Sequence, residues 1–117
     1  MKKLHCCCGT QVGHDVEIEH SAFDILVGDP QAKACAGNTV GHDVEVERND
    51  AQVELIVRGN TVGGDLEVNR NSGPAAKAVE DNTGNGELEC FGNADPFASS
   101  GNTFHEAKGQ CAGTPAV

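Results

Sequence analysis

Residues 37–46 read GNTVGHDVEV and residues 59–68 read GNTVGGDLEV, one ten-residue phrase written twice at an offset of 22. Aligning on its first residue puts Gly9, Gly37, Gly59, Asp81 and Gly101 at one position, at intervals of 28, 22, 22 and 20. A period of about 20–50 residues marks an array in which each unit buries its apolar face only against its neighbours. Within a unit the pattern alternates: Val44 and Val46 stand between Asp43, Glu45 and Glu47, and Val53, Leu55 and Val57 flank Glu54 and Ile56. Period two is strand rhythm with one face buried. Identical units stacked in register set equivalent strands parallel. Two short strands per 22 residues therefore describe one coil of a β-solenoid rather than a hairpin, and no segment shows the 3.6-residue period that a βαβ unit needs. The expected fold is all-β: a single-domain parallel β-helix of about 22 residues per coil and four to five coils, with little or no helix. It occupies residues 9–111, between a cysteine-rich lead-in at 1–8 and a tail at 112–117.

The corners keep the same register. Asn38, Asn60, Asn82 and Asn102 form one column and Asn49, Asn71 and Asn93 another, with Thr10 and Ser21 at the corresponding places of the first coil. Asn tolerates left-handed backbone at a tight bend, and stacked Asn amides can hydrogen-bond along a ladder. About six extra residues within GDPQAKACA, residues 28–36, lengthen the first interval and predict a loop at one corner. The last unit, GNTFHEAKGQC at 101–111, lacks a second strand and is expected to close the stack as a cap over an open sheet edge.

Composition narrows the function. A chain of 117 residues makes one domain, and with four Phe, no Trp and no Tyr its core must come from Val, Leu, Ile and Ala. The net charge of −10, 18 acids against 8 bases, argues against nucleic acid, whose binders need a basic stripe, and against anionic membranes. It points to cations, to a basic partner or to solubility. No apolar run approaches the roughly 18 residues of a membrane span, so no membrane insertion is expected. MKKLHCCCGT has two lysines but no apolar stretch after them, so it does not read as a signal peptide.

The acids are patterned. Asp15, Glu17 and Glu19 alternate with Val16 and Ile18; one coil on come Asp43, Glu45 and Glu47, then Asp65 and Glu67, then Glu87 and Glu89. Ten of the 18 acids thus project from one sheet, in columns of like charge about 4.8 Å apart that salt or cations would relieve. Such a face is either a solvated surface that keeps sheets apart or a weak, multivalent site for Ca²⁺, which accepts many oxygens in irregular geometry. His14 and His42, beside Asp15 and Asp43, occupy equivalent corners of adjacent coils; they can chelate a transition metal as a pair or stand as exposed corner residues, and the next coil has Gly64 there.

Six cysteines stand at 6, 7, 8, 35, 90 and 111. Cys7 and Cys35 each lie two residues before the repeat start, so they share a position on adjacent coils at about the Cα separation a disulfide takes. Cys90 aligns with Val46 and Val68, and a one-residue bulge would bring Cys111 to face it. Zinc at HCCC is disfavoured because consecutive strand residues point to opposite faces; Cys35 as a small buried thiol is the alternative to a bridge.

GNTVGGDL-type repeats followed by a late GNT…KGQC resemble a group of exported bacterial repeat proteins, over nearly all of residues 9–111. More distantly the pattern is similar to bactofilins, cytoskeletal parallel β-helices that polymerise end to end. The first resemblance implies a right-handed solenoid and an extracellular or cell-surface setting. It reinforces a Cys90–Cys111 disulfide clamping the cap, since the EC…KGQC pair belongs to the same ending, and it supplies no catalytic residues.

Catalysis needs distinct groups converging in a cleft. Carboxylates repeated on a flat sheet share one environment, so nothing separates an acid from a base, and Ser21, Ser72, Ser99 and Ser100 lack a nucleophile-elbow context. Ice binding would want an uncharged flat array, and only one Thr column, Thr39, Thr61, Thr83 and Thr103, is available. The expectation is a non-catalytic structural or binding module with an acidic face for divalent cations, weak Ca²⁺ included, or for a basic protein partner; the alternative is self-association through the solenoid ends.

Overall fold

The computed structural model describes residues 3–7, 9, 11–19, 24–28, 37–50, 52, 54–94 and 97–111, with 3–7 and Asp24 as backbone only. The chain enters through β1 (Lys3–Cys7) and then winds through four three-sided coils. The first is β2 (Gln11–Val12), β3 (Val16–Glu19) and β4 (Asp24–Val27); the second is β5 (Thr39–Val40), β6 (Val44–Glu47) and β7 (Glu54–Arg58). The third is β8 (Thr61–Val62), β9 (Leu66–Asn69) and β10 (Ala76–Glu80); the fourth is β11 (Thr83–Gly84), β12 (Glu87–Phe91) and β13 (Phe97–Ser100). A bridge from Thr83 to Thr103 and a last strand, β14 (Glu106–Gly109), complete the winding. There is no helix among the described residues.

Every pairing is parallel, and the strands form three sheets: β1-β4-β7-β10-β13, β2-β5-β8-β11 and β3-β6-β9-β12-β14. The parallel β-solenoid expected from the repeat is what the chain forms, and the 22-residue phrase is literal: Thr39 pairs with Thr61, Val44 with Leu66 and Val46 with Val68. Each coil has three sides rather than the two read from the alternation. The additional side is the two-residue NTV segment, too short to show a rhythm because it sends one residue inward, Val40 or Val62.

The interior is a prism of stacked aliphatic columns, among them Val44, Leu66 and Leu88, and Val57 with Val79, all at or near zero exposure. Each such side chain contributes about 1.5–3 kcal/mol relative to an exposed one. One inward position breaks the rule: Lys77, stacked between Leu55 and Phe97, is 2% exposed. Its Nζ donates to the carbonyls of Gly73 and Ala75 at 3.0 and 2.9 Å, so the ammonium is carried to the corner while its methylenes fill the column.

The asparagine columns are buried ladders. Asn38 donates to Asn60 Oδ1, Asn60 to Asn82 and Asn82 to Asn102, each time through both its backbone N–H and its side-chain amide, at 2.9–3.0 Å. Asn49, Asn71 and Asn93 repeat the arrangement, and Gln110 takes the terminal place that sequence alignment left empty. The left-handed backbone expected of these Asn residues falls one residue earlier, at Arg48, Arg70 and Asp81 (φ 54°, 52° and 57°) and at Gly59, Gly92 and Gly101. That residue makes the bend, which frees the asparagine to turn its amide inward.

The cap also differs from expectation. Cys90 pairs in register with Gly109, so no bulge aligns Cys111; instead the chain turns, Gln110 N–H donates to Cys90 O, and Cys111 folds inward to bond Cys90 with Cα atoms 5.4 Å apart. Both cysteines are fully buried. Cys35 lies outside the described residues, as do Cys7's side chain, Thr10, Ser21 and residues 29–36, so the expected Cys7–Cys35 bridge and corner loop fall outside what the structure describes.

Candidate acidic face

The sheet of β3, β6, β9, β12 and β14 presents its outward side chains as three columns. The central one reads Glu17, Glu45, Glu67, Glu89 and then Lys108; its neighbour reads Glu19, Glu47, Asn69 and Phe91. All ten predicted acids lie along this sheet, but they are not one lattice. The aspartates at the strand entries are occupied: Asp15 Oδ1 accepts from the Asp43 N–H at 3.0 Å, Asp43 Oδ1 from Asp65 N–H at 2.8 Å, and Asp65 Oδ1 from Glu87 N–H at 2.8 Å. They tie one coil to the next. A Cβ at Gly64 would fall 2.2 Å from Asp43 Oδ1, so a side chain there would make that carboxylate shift.

The glutamates remain as the exposed chemistry. Oxygens of Glu45, Glu47 and Glu67 lie within 4.8 Å of one another, the one such group of three acidic, His or Cys ligands among the described residues. Half-burial, reinforced by the negative charges of Glu89, Glu45 and Glu47 and by a hydrogen bond with Glu47, pushes the Glu67 carboxyl up to about 7. Glu45 is raised by burial and by Glu47, Glu17, Glu19 and Asp43; Glu89 is raised by burial and by Glu87, against the opposing charge of Lys108. Among the described residues, positive charge meets this face at its ends, Lys108 at 3.2 Å from Glu87 and acting also on Glu89, and Arg48 at 3.9 Å from Glu19, while the neutral Asn69 amide donates to Glu47 at 3.2 Å. The centre of the face is the least compensated.

Sequence reasoning found these residues but missed the division of labour between Asp and Glu, and it missed Lys108 at the foot of the central column. The shorter aspartate at the strand entry was the available signal, because its carboxylate reaches a neighbouring N–H where glutamate reaches past it. His14 and His42 do come together at the corner leading into this sheet, rings stacked 5.6 Å apart and 17° from parallel. Thr39, Thr61, Thr83 and Thr103 are all exposed on the adjoining narrow side. The described surface holds no pocket, and no helix is long and apolar enough to cross a membrane. No family model matches the chain, and no curated protein or solved structure shows significant similarity to it.

Proposed function

We propose that the chain is a non-catalytic binding module whose glutamate columns collect cations, as divalent ions or on a basic partner. The observation that carries this reading is the Glu45–Glu47–Glu67 group, three convergent carboxyls of which one, Glu67, is pushed up to about 7 by burial and by its acidic neighbours. A proton is the cheapest relief for such crowding; a cation relieves all three groups at once and releases the proton. The Cys90–Cys111 disulfide is compatible with an extracellular setting, where such bonds persist.

Thermal unfolding with and without millimolar Ca²⁺ tests the proposal, because a ligand stabilises only the state that binds it. The melt should rise with Ca²⁺, and Glu45→Gln/Glu47→Gln/Glu67→Gln should abolish the rise. An unmoved wild-type melt, or an equal rise in the triple variant, would refute it.

Self-association is the second reading, favoured by one observation: among the described residues no strand pairs with the outer edges of β13 and β14. Sedimentation across a range of protein concentrations separates the two, since stacked ends predict growth in mass with concentration and a cation-binding monomer does not.

A further inference from the structure

His14 and His42 are held one rung apart by the backbone itself. His42 N–H donates to His14 O at 3.2 Å, Gly64 N–H to His42 O at 2.8 Å, Gly86 N–H to Gly64 O at 3.0 Å and His105 N–H to Gly86 O at 3.0 Å, so the corner reads His, His, Gly, Gly, His along the stack. The first two imidazoles are exposed and stacked, with centroids 5.6 Å apart. The adjoining carboxylates of Asp15 and Asp43 each commit an oxygen to the next coil's backbone, so the imidazoles are the soft, mobile donors at this corner. His105 stands three rungs from His42, roughly 14 Å at strand spacing, and is too far away to join them.

We propose that His14 and His42 form a surface chelate for a first-row divalent ion of the class that prefers imidazole, such as Ni²⁺, Cu²⁺ or Zn²⁺. Metal–nitrogen bonds of about 2.0–2.1 Å need the two coordinating nitrogens roughly 3 Å apart. The rings are 5.6 Å apart and stacked 17° from parallel, so chelation turns the two exposed side chains out of the stack until their nitrogens converge, on a register that the backbone bond already fixes. The acidic sheet beside the pair raises the local concentration of any cation. Water completes the coordination, so the site binds and releases its ion readily. This site is separate from the glutamate columns and stands whether or not they bind Ca²⁺.

Titration of the full, disulfide-intact chain with Ni²⁺ by calorimetry tests the assignment. His14→Ala and His42→Ala should each weaken binding by roughly 10–100-fold, the scale on which metal sites respond to lost ligands or supports. His105→Ala should leave it unchanged, and Glu45→Gln/Glu47→Gln, which removes part of the negative field but no ligand of this site, should weaken it less than either histidine substitution. Bound Cu²⁺ should show electron spin echo modulation from two equivalent imidazoles, and one in either single variant; His14→Gln and His42→Gln repeat the test with side chains closer in size. Ni²⁺ affinity that is unchanged by either His14 or His42 substitution, or that is lost with the glutamate variant, overturns the proposal.

Discussion

Asn60 Oδ1 accepts at 2.9 Å from both the backbone N–H and the side-chain amide of Asn38, one coil earlier, while its own amide nitrogen donates to Val27 O at 2.7 Å and its backbone N–H to Asn82. A corner has to turn the chain and leaves backbone groups pointing away from any ladder. Here one buried amide satisfies two of them, the Asn38 N–H and the Val27 carbonyl, and the next coil repeats the solution. Substituting Asn60→Ala strands buried donors and an acceptor and should cost about 3 kcal/mol, given roughly 1–3 kcal/mol per unsatisfied group. Asn102→Ala strands the equivalent groups, Asn82 N–H, the Asn82 amide and Val79 O, but at the end of the ladder, where it is 6% rather than 2% exposed and water reaches more readily, and should cost less. Urea midpoints at constant m report both; equal losses would mean that the ladder is not cooperative.

The stability of the fold should fall as pH rises from about 4.5 to about 7. Glu67 titrates near 7 when folded and near its ordinary 4.5 when unfolded, so in that window the folded chain holds more protons than the unfolded one. Its contribution is fully present below about 4.5 and lost as pH passes about 7. Glu45 and Glu89 shift in the same sense. Glu67→Gln should therefore melt above the wild type near pH 8, with the gap closing toward pH 4. Parallel melting curves for the two proteins across this range would contradict the assignment.

Removing the disulfide should loosen one end and spare the middle. Cys90 and Cys111 are 21 residues apart, and closing a loop of that size stabilises by about 3 kcal/mol on the chain-entropy account. The bond also holds Gln110, whose side chain exchanges hydrogen bonds with Asn93 at 2.9–3.0 Å. On Cys111→Ala, amide exchange should accelerate first in Glu106–Gly109 and then in Glu87–Phe91, with Val44–Glu47 protected longest. Uniform loss of protection would show that the coils unfold as one unit instead.

The solenoid was legible because its information is periodic: valines and glutamates at period two inside a 22-residue repeat leave little choice of fold. The third side was not, since Thr39–Val40 and Thr61–Val62 are too short for any alternation to register. Lys77 was opaque for another reason. A lysine in AAKAV reads as an outward residue, and only the nearby carbonyls of Gly73 and Ala75 show how it can lie inward. The ten acids were found as a set, yet their split into aspartates that bind backbone and glutamates that crowd one another depends on reach, which spacing does not encode. Gln110 fills a place at the end of the second ladder for which the repeat offered no residue, its longer side chain reaching Asn93 from the turn after the last strand.

The column Val40, Val62, Gly84, Phe104 shows how a solenoid tolerates an irregular coil. A Cβ at Gly84 would fall 2.0 Å from the Phe104 ring, so the phenyl group of the last coil occupies the space that a valine side chain would fill. The small residue and the large one are one packing unit. Gly84→Ala alone should destabilise by about 1–3 kcal/mol through overpacking, and Phe104→Ala alone by about 3 kcal/mol at this partly buried site, the low end for a core phenylalanine. Gly84→Val with Phe104→Val restores a uniform valine column and should be more stable than the sum of the single Gly84→Val and Phe104→Val variants implies, a favourable coupling of about 1–3 kcal/mol in that double-mutant cycle. Additive effects would mean that the ring moves aside without cost, and that the column at this end of the stack is not packed as a unit.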